Sequence, residues 1–174
     1  ILTTSIKSTD VKVYFLFKEN KTKPFLNKLK LSLPIKVIKD FDKEDDTIIN
    51  FYNNNTYHYL VGLGKKEEMT IDKLNHIFSD FKKMLGSMKN KSIMYFINET
   101  RSIEFSKDLI LLISNIYYEF NHKSTKGKPN KNINLHISKQ NFNELSKTIK
   151  LVDSIELVKK LGDEPANILN PIEY

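Results

Sequence analysis

The chain has 174 residues, 40% of them hydrophobic and 28% charged, which suits one soluble domain with a self-sufficient core. Its formal charge of +7 is nearly all lysine, with Arg101 the single arginine, so the guanidinium forks that usually grip phosphates and guanine edges are scarce. The absence of cysteine excludes disulfides, thiolate metal sites and cysteine nucleophiles, and no apolar run approaches the length of about 20 residues that spans a bilayer.

The opening stretch ILTTSIKSTD has no basic segment leading into an apolar one, so no secretory signal is expected and the cytoplasm is the default compartment. Residues 11–17, VKVYFLF, are β-branched, aromatic and nearly continuous, as in a strand covered on both faces. A short helix over 23–33 and strands over 34–41 and 46–52 follow, with the acidic run DFDKEDD (40–46) as a solvated turn. That run has the alternating acids of a calcium loop, but Asp45 stands where the loop needs glycine and Phe51 where it needs a bidentate glutamate.

YHYLVGLG (57–64) reads as a strand ending in glycines. A helix is predicted from Thr70, its N-cap, to about Met88, with the apolar stripe Ile71, Leu74, Phe78, Phe81, Leu85 and Met88. KSIMYFIN (91–98) is a strand. The helix over about 105–120 is apolar nearly all round at LILLIS (109–114), which predicts cover on two sides. A lysine-rich loop over 121–132 leads to a strand over 133–138. The last helix, 141–161, carries the stripe Phe142, Leu145, Ile149, Val152, Ile155 and Val158. Strands alternating with long helices predict an α/β fold: a mixed, mostly parallel sheet covered by helices on both faces.

Catalytic chemistry is hard to find in these residues. His58, His76, His122 and His136 have no metal-ligand spacing, and no serine sits in a nucleophile elbow. Gly62 and Gly64 lie between strand and helix, where backbone amides can hold phosphate, but the full fingerprint is missing and Glu67 and Glu68 oppose an anion. A tight turn is the first reading there, a ligand loop the second. Lys123, Lys126, Lys128 and Lys131 form the densest basic loop. It reads first as solvated and second as a nucleic-acid contact.

Three stretches in order resemble the M17 leucyl aminopeptidase family: YLVGLGKKEEMTIDKLN (59–75), LILLISNIYYEFNHKST (109–125) and IELVKKLGDEPANILNPIEY (155–174). In the last, Leu161, Pro165, Asn167 and Pro171 match the family's junction motif. Gly162–Asp163 and Lys159–Lys160 depart from it, as does the missing Glu-Gly at the start of the second helix. The resemblance implies a non-catalytic, macro-like N-terminal domain over 1–162, with 163–174 opening the linker into a C-terminal peptidase domain. It implies a parent hydrolase that removes N-terminal residues from peptides. That parent would use two divalent metals, zinc or manganese, held outside this chain, and would assemble as a homo-hexamer. The family's metal ligands and catalytic lysine have no counterparts in these residues, so the chain alone is expected to be inactive. The alternatives are a stand-alone module for nucleic acid or for a nucleotide such as ADP-ribose.

Overall fold

The computed structural model describes residues 1–5, 7–20, 41, 47–85, 92–97, 102–118 and 133–163. The helix expected over 23–33, the strand over 34–40, most of the acidic run and the lysine loop lie outside the described residues. So do Arg101, His122, Pro165, Asn167 and Pro171.

Six strands form one sheet: β1 (Leu2–Thr3), β2 (Val11–Leu16), β3 (Ile48–Asn53), β4 (Thr56–Gly62), β5 (Ile93–Phe96) and β6 (Ile133–His136). Three helices accompany them: α1 (Ile71–Leu85), α2 (Ile103–Tyr117) and α3 (Phe142–Asp163), the last entered through a 3-10 turn at Lys139–Asn141. The sheet order is β1-β6-β5-β2-β4-β3, and every pairing is parallel except β3 with β4. The expected mixed, mostly parallel α/β sheet is therefore observed.

Strand β2 lies between β4 and β5, which explains its nearly continuous apolar run. Val11, Val13 and Phe15 point to one side, and Tyr14 and Leu16 to the other, all buried. The β3–β4 hairpin turns at Asn54 and Asn55, with φ of 48° and 58°. Both residues thus occupy the left-handed region that a two-residue hairpin turn demands and that asparagine tolerates.

All three described helices pack on one face of the sheet. There α1 contributes Leu74, Ile77, Phe78, Phe81 and Leu85, and α2 contributes Leu109, Ile110 and Ile113. Leu145 and Val152 come from α3. Thr70 Oγ1 accepts from the Lys73 amide at 3.3 Å, as expected of the cap of α1. Ser102 caps α2 in the same way, accepting from the Phe105 amide at 3.1 Å. The opposite face has its own buried cluster: Tyr14, Leu16, Phe41, Leu60, Met94 and Phe96.

Two stripes differ from expectation in their extent. Ile71 is 61% exposed at the start of α1, while Ile77, off the predicted stripe, is buried. In α3 the stripe is buried only around Leu145 and Val152; Ile155 is 38% and Val158 68% exposed. The helix has 22 residues and so runs about 33 Å, longer than strands of four to seven residues can cover. It also continues through Gly162 to Asp163, two residues past the predicted end.

Candidate functional site

The polar groups of the sheet lie mainly on the second face. Register places Phe51 beside His58, Tyr14 beside Phe96, and Phe96 beside His136. The rings form a ladder across five strands. Phe51 and His58 stack with centroids 4.9 Å apart, Tyr14 and Phe96 at 4.6 Å, and Phe96 and His136 meet at 4.8 Å. The diagonal link is polar, with Tyr14 Oη 3.2 Å from His58 Nδ1.

His58 is only 3% exposed. Burial, and then the Lys12 ammonium, lower its pKa to about 4, against a smaller opposing effect from a hydrogen bond to the Asn53 backbone. Burial also lowers Lys12 and raises the Tyr14 phenol. His76, by contrast, stands on the surface of α1 with Nδ1 3.7 Å from Asp80.

The glycine turn is built from β4. Gly64 has φ of 66°, a conformation that favours glycine, and its carbonyl accepts from the Lys18 amide at 2.9 Å. This turns the chain out of the sheet towards α1. Beyond it lies a hollow of about 490 Å³ between the starts of α1 and α2, lined by Met69, Thr70, Ile71, Leu74, Ser102, Glu104, Phe105 and Asp108. Carboxylates in the lining make it a poor seat for phosphate.

A second hollow of about 300 Å³ adjoins it and shares Ile71, Leu74 and Asp108. Leu111, Leu112 and Ile155 extend its apolar floor, and Glu156 and Lys159 stand in its wall. Together the two form a trench over α1, α2 and α3. The cover on two sides expected of the LILLIS segment is seen on one: Leu109, Ile110 and Ile113 are buried in the core, while Leu111 and Leu112 remain partly exposed in the trench. Individual trench residues such as Asp108 and Glu156 were not singled out by sequence, because only the packing of three helices brings them together.

At the far end of the trench a polar clamp ties α3 to α2. Tyr118 Oη donates to Asp163 Oδ2 at 2.9 Å, Lys159 Nζ donates to Asn115 Oδ1, and the same ammonium lies 5.2 Å from the Tyr118 ring centre. Leu161, the described member of the junction motif, is half-buried in this last part of α3.

No three histidines, aspartates or glutamates converge on a metal-sized site among the described residues, so those residues do not fit a two-metal centre. Among them, no helix is long and apolar enough to cross a membrane.

Comparison with known proteins decides what this frame resembles. No protein-family model matches the chain. A probable cytosol aminopeptidase of Clostridium perfringens is 25% identical over 124 residues, covering 64% of this chain and 25% of that protein. Tomato leucine aminopeptidase, solved as a mutant, superposes over 98% of this chain with a TM-score of 0.62 and 12% identity. The cytosol aminopeptidase of Coxiella burnetii covers 99% at 0.60 and 14% identity. The bottromycin maturation enzyme BotP in complex with Mn covers 94% at 0.61 and 11% identity. The fold is shared with part of each of these aminopeptidase structures. The resemblance to the M17 aminopeptidases read from the sequence therefore holds in both sequence and fold. This chain spans about a quarter of the curated relative, and 34%, 35% and 39% of the BotP, Coxiella and tomato structures.

Proposed function

We propose that this chain is the non-catalytic N-terminal domain of a leucyl-aminopeptidase-like metallo-exopeptidase. The observation that carries the reading is the match to a cytosol aminopeptidase over 64% of this chain but only 25% of the relative, paralleled in fold by two solved aminopeptidases. The ligand-poor frame supports a scaffolding role. Among the described residues the titratable groups are dispersed, and no three histidine, aspartate or glutamate side chains converge.

In this reading the domain shapes access and assembly, and the parent protein removes N-terminal residues from peptides. The two divalent ions, zinc or manganese, belong to its peptidase part, and sister subunits pack into the family's hexamer. In this reading residues 163–174 open the linker into that peptidase part. The support of α3, apolar around Leu145 and Val152 and polar against the end of α2, suits a spacer that must hold a direction.

Sequencing the source transcript beyond the codon for Tyr174 tests the reading. An open frame continuing into a lysine, aspartate and glutamate two-metal constellation is the expected result. An immediate stop codon would refute it for this product.

A further inference from the structure

We propose that the trench over α1, α2 and α3 is a docking groove for a lysine- or arginine-bearing amphipathic helix from another polypeptide. The inference does not depend on the aminopeptidase reading.

Its first support is the unfinished apolar floor. Ile71, Leu111, Leu112 and Ile155 line a hollow of about 300 Å³ and stay partly exposed, with Ile71 61% open. An apolar surface of this kind gains by being covered.

Charge is the second support. Three carboxylates line the trench, Glu104, Asp108 and Glu156, and none has an ion pair with a described residue. Elsewhere in this lysine-rich chain the carboxylates of Glu68, Asp80 and Glu144 pair with Lys65, Lys83 and Lys107. The one cation among the trench's lining residues, Lys159, is engaged by Asn115 and the Tyr118 ring. With three carboxylates to one ammonium in its lining, and Glu104 also acting on Lys107, the trench presents an excess of negative charge beside an apolar floor, which complements a cationic amphipathic segment.

The walls decide the shape of that segment. They are helices, whose backbone groups bond internally, so an extended strand would find no ladder to join. A helix satisfies its own backbone and can lay apolar side chains at i, i+3, i+4 and i+7 into such a groove.

The test uses the 174-residue chain and a synthetic helix of about 15 residues with leucines at that spacing and flanking lysines. A version with glutamate in place of lysine is the control. By fluorescence anisotropy at low salt the lysine helix should bind in the micromolar range, at least about tenfold tighter than the control. Methyl NMR shifts should centre on Ile71, Leu111, Leu112 and Ile155.

Asp108→Lys combined with Glu156→Lys should cost at least about tenfold in affinity with the circular dichroism spectrum unchanged. Ile71→Asn, at an exposed site, gives an independent loss if the charge variant misfolds. Equal affinity for both helices, shifts centred elsewhere, or no binding at millimolar peptide would overturn the proposal. So would dimerisation of the chain that the lysine helix cannot compete away, which would assign the trench to a second copy.

Discussion

The two faces of the sheet are built from the same strands, yet they rest on different chemistry. On the helical face, residues such as Val13, Phe15, Val61 and Ile110 interlock with phenols (Tyr59, Tyr95 and Tyr117) but with no histidine among the described residues, and Tyr95 and Tyr117 share a hydrogen bond. On the second face the aromatic ladder includes two histidines and a phenol, with Lys12 beside them. The difference teaches that one sheet can hold a face that ignores pH and a face that responds to it. Only the alternation of side chains along β2, β4, β5 and β6 keeps the two apart.

The largest effect should come from the helical face. Ile110 is fully buried, so Ile110→Ala should cost about 2–5 kcal/mol in urea denaturation, by the same amount at every pH from 5 to 8. A cost that changed with pH would break the contrast between the faces.

Acid should act through the second face. His58 takes its proton at about 4 in the fold and near 6.5 in the unfolded chain, so the unfolded state protonates first as pH falls. The stability due to the neutral ring is fully present above about pH 6.5 and is lost as pH falls towards 4, about 3 kcal/mol in all. His58→Gln should flatten the stability curve across that window; a curve equally steep in the variant would contradict the assignment.

A smaller effect sharpens the comparison from within the helical face. Tyr95 Oη and Tyr117 Oη are 2.5 Å apart, and Tyr95 is fully buried while Tyr117 is partly exposed. Tyr117→Phe should cost about 1–2 kcal/mol because it strands a buried hydroxyl. Tyr95→Phe should cost less, since water can reach the Tyr117 hydroxyl that remains. Thermal melts of the two variants at pH 7 would read the order, and a reversed order would sink the argument. Smallest of all, Val158→Ser on the solvent side of α3 should change stability by no more than about 0.5 kcal/mol.

Much of this fold was legible in the sequence because the periods were strong. The nearly continuous run at 11–17 marked the central strand, and the 3-4 spacing from Leu74 to Leu85 marked α1. The stripe of α3 was legible but its burial was not, because periodicity says which side faces in and not how far the sheet extends beneath it. The hairpin turn at Asn54–Asn55 was not read from the sequence, although asparagine tolerates the left-handed backbone found there.

The candidate site was harder to read. The ladder joins Tyr14 to His58 across 44 positions of sequence, and the trench depends on where α1, α2 and α3 meet. Such juxtapositions depend on strand register and helix packing, which no local pattern encodes. The resemblance in 59–75, 109–125 and 155–174 reached further than any single motif, since it rested on the order of three elements.

The central claim is that this domain supports a peptidase without performing the chemistry. Its most direct test is hydrolysis of leucine p-nitroanilide by the purified 174-residue chain with added Mn²⁺ or Zn²⁺. The account predicts no turnover above the metal-only blank at any pH from 6 to 9. Saturable, metal-dependent release of p-nitroaniline by the chain alone would contradict it.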